Sequence, residues 1–114
     1  MLGFSSSLRY FVCCTPIDIR NGFDGLAGIV RDHLKKDPIS GSVFVFLNKN
    51  RTHIKLLYWD GDGFALFYKR LERGRYRQPT DNSPSKELKR EELLMLIEGL
   101  SFDEMKQKKR FKMK

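Results

Sequence analysis

Residues 54–79, IKLLYWDGDGFALFYKRLERGRYRQP, decide how this chain folds. Apolar and aromatic residues run up to Trp59, the turn formers Asp60, Gly61, Asp62 and Gly63 follow, and a second apolar and aromatic run, FALFYKRL, leads away. Asp and Gly tolerate the positive φ of a tight turn, so this spacing predicts a β-hairpin. Any two-residue loop pairs odd positions of one strand with even positions of the other. Lys55, Leu57 and Trp59 then share a face with Phe64, Leu66, Tyr68 and Arg70, and Ile54, Leu56 and Tyr58 join Ala65, Phe67 and Lys69. The first face grades from apolar at the turn to cationic at the far end. The segment also holds the only Trp, three of the four Tyr, and five bases, Lys69, Arg70, Arg73, Arg75 and Arg77, against the single acid Glu72 that falls among them. A rigid, partly aromatic sheet with a cationic exit is a surface suited to a polyanion.

Working outward, residues 8–14 read as a first strand, and an amphipathic helix is expected over 23–36. Asn21 is its expected N-cap, Asp24 favours its positive end, and Pro38 with Gly41 stops it. Phe23, Leu26, Ala27, Val30 and Leu34 form its buried stripe, and Gly22, Gly25 and Gly28 would admit a closely packed neighbour. Val43 to Leu47 is an uninterrupted apolar run that predicts a strand covered on both faces. Residues 48–51 form a turn, 78–85 a loop, and 86–88 a short edge strand or a helix start. A helix follows over 90–98, with Leu93, Leu94, Leu96 and Ile97 inward and Gly99 at its end. The expected fold is a single α+β domain with a mostly antiparallel sheet of four or five strands and two helices. At 114 residues there is room for one modest core.

The net charge of +8 is unevenly placed. Residues 106–114 carry six bases and no acid, leaving 16 bases against 14 acids in residues 1–105. This divides the chain into a domain over 1–105 and a disordered basic tail over 106–114, which either solubilises the chain or meets an anionic partner. The two cysteines, Cys13 and Cys14, are adjacent on a strand and point to opposite faces, so they do not pair; one should be core and the other more exposed. The lack of a disulfide framework fits a reducing cytoplasm. No uninterrupted apolar stretch approaches the roughly 18 residues of a membrane helix.

Enzyme chemistry finds little footing. Two-metal phosphoryl transfer needs acids from separate elements converging about 4 Å around the ions. The nearest acids, Asp60 and Asp62, lie in one turn whose own chemistry explains them, and residues 64–71 supply no further calcium ligands. His33 and His53 stand at no zinc spacing from the cysteines. Gly61 and Gly63 are only a fragment of a dinucleotide fingerprint and connect two strands. No metal or cofactor is expected. The basic group is the best candidate: five cations within residues 69–77 repel one another, and a phosphate backbone relieves that repulsion. Lys49, Arg51, Lys55 and the tail are expected to assist, and Tyr76 to stack on a base or sugar. No helix carries the row of Arg, Asn or Gln that reads base edges.

PIDIRNGFDGLAGIV at 16–30, DPISGSVFVFLN at 37–48 and KLLYWDGDGFALFYKRLERGRYRQP at 55–79 together resemble the small TnpB-type accessory protein, the second open reading frame product, of insertion-sequence-66-type bacterial transposable elements. Its most recognisable motif falls on Tyr58, Trp59, Asp60, Gly61, Asp62, Gly63 and Phe64, continuing through Lys69, Arg70, Leu71, Glu72, Arg73 and Gly74. The resemblance implies participation in transposition beside a separate, larger transposase, and supplies no catalytic residue. Two positions depart from the family pattern: Gln78 stands where Trp usually precedes the proline, and Lys89 where Ser or Thr usually starts a helix. The expected partners are DNA and the transposase, with no membrane. The rival expectation is a protein-interaction module that docks on the transposase without touching DNA. Oligomeric state stays open, since an edge strand such as 86–88 either pairs or stays capped.

Overall fold

The computed structural model describes Ser5 and residues 7–99. Both the boundary expected at residue 105 and the basic tail lie outside the described residues. Seven elements follow in order: β1 (Tyr10–Cys13), α1 (Phe23–Asp32), β2 (Val43–Leu47), β3 (His53–Trp59), β4 (Phe64–Arg70), β5 (Ser85–Leu88) and α2 (Arg90–Glu98). The strands form one sheet in the order β4-β3-β2-β1-β5. Only β1 and β2 are parallel, as a strand pair joined by the α1 crossover must be, and the other three pairings are antiparallel.

The two helices cover opposite faces. Leu26, Ala27, Val30 and Leu34 from α1 and the turn after it bury against Phe11, Cys13, Phe44, Phe46 and Leu57. On the other face Leu93 and Leu96 of α2 bury against Tyr10, Val12, Val43, Val45, Leu47, Ile54, Leu56 and Leu88. All of β2 is buried, because it is central and sandwiched between both layers, as its unbroken apolar run demands. Each fully buried Leu or Val here contributes about 1.5–3 kcal/mol of transfer free energy.

The hairpin register agrees with the parity argument. Trp59 pairs with Phe64, Leu57 with Leu66 and Lys55 with Tyr68, while Leu56 pairs with Phe67 and Ile54 with Lys69. The Asp60 N–H donates to the Gly63 carbonyl at 2.8 Å, leaving Gly61 and Asp62 as the two-residue loop. Gly61 sits at φ 84°, which is open to glycine at little cost. Trp59 and Phe64 meet edge to face, with centroids 5.1 Å apart.

The expectations for α1 are corrected in several respects. The helix ends at Asp32 because the chain winds off its axis: Leu34 N–H returns to the Ile29 carbonyl and Lys35 turns to φ 57°. Gly22 occupies the N-cap, and Asn21 does not cap; its Nδ2 donates back to the Asp18 carbonyl at 2.9 Å. Phe23 is 47% exposed and does not join the buried stripe. No neighbouring element exploits the glycine spacing. A Cβ at Gly22 would meet nothing within 4 Å, one at Gly28 only Arg31, and the atoms nearest to one at Gly25 belong to the Asn21 side chain of the same segment. Residues 85–88 resolve as a strand, and of the two cysteines Cys13 is buried and Cys14 partly so.

A candidate nucleic-acid interface

The basic segment after β4 is a loop tied down at two places. Leu71 N–H donates to the Thr52 carbonyl at 2.8 Å, and Tyr76 N–H to the Arg51 carbonyl at 2.7 Å. Between them Gly74 adopts φ 76° and reverses the chain. Tyr76 then inserts its ring into the α2-side core at 1% exposure, so the adjacent Arg75 and Arg77 stay at the surface. Burial pushes the Tyr76 phenol up to about 12. The base-stacking role expected for Tyr76 is therefore corrected: its ring is an anchor within the fold.

The Arg51 carbonyl that receives this loop belongs to the β2–β3 turn. Asn48 organises that turn, accepting the Thr52 and His53 N–H groups on Oδ1 at 2.9 and 3.0 Å. Arg51 itself takes φ 59°, a left-handed position that the flanking bonds enforce. Arg51, Arg75 and Arg77, distant in sequence, thus share one end of the sheet. Together with Lys86 on β5 they rim a groove of about 560 Å³ floored by Tyr76, Leu88 and Leu96. Its wall includes Met95, which is 72% exposed, and the acid Glu92. Arg73 and Lys49 are exposed on the same loop and turn. Among the described residues, Arg73, Arg75 and Arg77 form no ion pair.

Three of the expected cations already have partners within the fold. Lys55 is 6% exposed, and its ammonium donates to the Ile19 and Asn21 carbonyls at 2.6 and 2.8 Å beneath the segment that leads into α1. Burial lowers its pKa, with Asp18 opposing. Lys69 donates to the Ile97 carbonyl at 3.1 Å, meeting one of the carbonyls left open in the last turn of α2. Arg70 stays exposed but is paired to Glu72 at 2.9 Å. Conversely, Lys86 was missed from sequence. Its alternation with Leu88 hints at a shared face, but only the β1–β5 pairing brings it beside Arg77.

The two unusual positions have structural counterparts. Gln78 Nε2 donates to the Cys13 carbonyl at 3.2 Å and to the Pro79 carbonyl at 3.1 Å, pinning the loop to the end of β1. Its Oε1 is buried without a hydrogen-bond partner. Lys89 is the N-cap of α2, and its N–H donates to Glu92 Oε1 at 2.8 Å. Lysine has no acceptor to return the second bond of a capping box, so only half of that motif forms.

The YWDGDGF motif forms the hairpin tip, at the opposite end of β3 and β4 from the arginines. Asp60 and Asp62 are exposed there. Among the described residues no three His, Cys, Asp or Glu side chains are grouped to hold a metal ion. None of the described helices is long and apolar enough to cross a membrane.

These features define a small α/β/α-layered domain with a basic, half-apolar groove at one sheet end. The model of the IS66 Orf2-like protein family matches residues 8–107, and the chain belongs to that family. It is also similar to two uncharacterized proteins of Sinorhizobium fredii. With y4jC it shares 36% identity over 108 residues, covering 95% of this chain and 92% of that protein. With y4hO it shares 32% over 102 residues, covering 90% and 89%. No solved structure matches the chain.

Proposed function

We propose that this chain is a non-catalytic accessory factor in transposition of an insertion element and that it grips the phosphate backbone of duplex DNA. Arg51, Arg73, Arg75, Arg77 and Lys86 are the contacting residues, with Lys49 and the tail adding charge. The observation that carries this reading is the convergence of two separate loops, fastened by the Tyr76–Arg51 backbone bond, on one rim of cations, in which Arg73, Arg75 and Arg77 have no acidic partner among the described residues. Exposed guanidinium groups held on a rigid support are suited to phosphate, and each neutralised phosphate releases counterions. Affinity then comes from charge without sequence readout, since no side-chain row is placed to enter a groove.

The test is binding of the full chain, and of the chain without residues 106–114, to labelled element-end and scrambled duplexes across a salt series. For the chain without residues 106–114, five contacts should make the logarithm of affinity fall against the logarithm of salt with a slope approaching −4.5, at roughly 0.9 per phosphate, and the tail should steepen it. Replacing Arg73, Arg75 and Arg77 by Ala should reduce the slope by nearly three. Binding that vanishes with the tail alone, or is absent at low salt, removes the assignment.

A second reading has its own support: the groove floor is apolar and Met95 is exposed, which suits a protein segment of the transposase carrying acids beside apolar anchors. Such an interface loses less affinity with salt, so the same series separates the two.

A further inference from the structure

We propose that two copies of this chain join through the outer edges of their β4 strands, antiparallel and centred on Phe67, to make one continuous sheet. β4 ends the sheet and is seven residues long. The bonds from Asp60 N–H to the Gly63 carbonyl and from Leu71 N–H to the Thr52 carbonyl set the phase of the β3–β4 ladder. Ala65, Phe67 and Lys69 therefore exchange hydrogen bonds with β3, and Phe64, Leu66, Tyr68 and Arg70 aim their N–H and C=O groups outward. Among the described residues those outward groups have no backbone partner.

Edges left in this state are normally protected by shortness, proline, a bulge or charge. β5, the opposite edge, is four residues long and carries Lys86 and Glu87. β4 has no such device between Phe64 and Tyr68: it contains no proline or glycine and pairs with β3 without a bulge over its whole length. Its two charges are confined to the last positions, Lys69 and Arg70.

The strand is complementary to itself. The register centred on Phe67 is the one that overlaps all seven residues. It sets Leu66 opposite Tyr68, Ala65 opposite Lys69 and Phe64 opposite Arg70, with about eight new backbone hydrogen bonds. Tyr68, 52% exposed in the single chain, is covered by Leu66 of the second copy. Each Arg70 lies against an aromatic ring, and the two Arg70 residues stand about 20 Å apart along the strands, so like charges never face each other. Sliding the register to centre on Lys69 would bring two ammonium groups together and shorten the overlap.

The test uses the full chain. Sedimentation equilibrium should show a dimer in the micromolar range. Leu66→Pro removes an outward donor without touching the bonds to β3 and should give a monomer with an unchanged far-ultraviolet spectrum. Should that variant unfold, a Cys14→Ser background carrying Phe67→Cys reports the register instead. The two introduced thiols face each other in a non-hydrogen-bonded pair and should form an intermolecular disulfide on mild oxidation. Ala65→Cys places its thiols about 14 Å apart and should not cross-link. A monomer at every concentration overturns the proposal, as does a dimer in which Ala65→Cys cross-links as readily as Phe67→Cys.

Discussion

Tyr76 is the residue on which the basic loop depends, and truncating it should be costly. Its ring lies at 1% exposure in the cluster formed with Leu93, Leu96, Leu56 and Tyr10, and Leu71 packs against the same cluster. Replacing a large buried aromatic by Ala removes its transfer free energy and leaves a cavity, at about 3–5 kcal/mol. That is a large share of the roughly 5–15 kcal/mol that holds a domain together. The hydroxyl contributes little beside this. It reaches the Lys69 carbonyl only at 3.5 Å, the outer limit of a hydrogen bond, so Tyr76→Phe should change stability by about 1 kcal/mol at most. Urea unfolding followed through the fluorescence of Trp59, together with DNA binding of each variant, measures both effects. Tyr76→Phe should bind DNA as the parent does, because a buried ring cannot stack on a base. The phenol adds a pH signature. Its folded pKa of about 12 lies above the ordinary value of 10, so the protonated form is favoured in the folded state. That stabilisation is complete below pH 10 and is lost as pH climbs from about 10 to 12, a loss that Tyr76→Phe should lessen. A Tyr76→Ala cost below about 1 kcal/mol, or equal costs for Ala and Phe, would refute the anchoring role.

Three further outcomes follow from the placement of the cations. Lys55→Met should destabilise the fold by about 1.5–3 kcal/mol, because two carbonyls lose a charged donor, while the salt dependence of DNA binding stays as in the parent; a reduced slope with unchanged stability would contradict the burial. Lys69→Met should cost about 1 kcal/mol and speed amide exchange in the last turn of α2, readable by hydrogen exchange, and unaltered exchange there would show that the Ile97 contact does not cap the helix. Arg70→Ala should lower the salt slope less than Arg75→Ala does, since Glu72 already neutralises Arg70; equal effects in the salt series would remove that distinction.

Much of the architecture was legible in residues alone. The five apolar residues from Val43 to Leu47 read as a strand covered on both faces, and the DGDG turn set which hairpin residues share a face because parity follows from any two-residue loop, while the structure fixes the register. The end of α1 was not legible. Its apolar stripe continues to Leu34, and the helix stops at Asp32 because Lys35 adopts a left-handed turn that still delivers Leu34 to the core. Asn21 is a good capping residue by type, but the turn from Asp18 claims its side chain first.

The candidate site divides in the same way. A cluster of arginines after β4 is visible in the sequence, whereas the burial of Tyr76 among them, which turns Arg75 and Arg77 outward, is not. The roles of the lysines are not. Lys55 was assigned to the surface because its strand face grades toward charge, whereas the segment at residues 19–21 crosses that face and takes the ammonium on two carbonyls. Lys86 joined the rim only through the pairing of β5 with β1. Local spacing and turn chemistry depend on neighbours in the chain, so the strands, the presence of both helices and the facing parity of the hairpin were determined by the sequence itself. Strand order, the burial of one lysine and the recruitment of another depend on contacts between residues far apart in the chain, whose energies exist only once the sheet has closed, and the tertiary structure alone decided them.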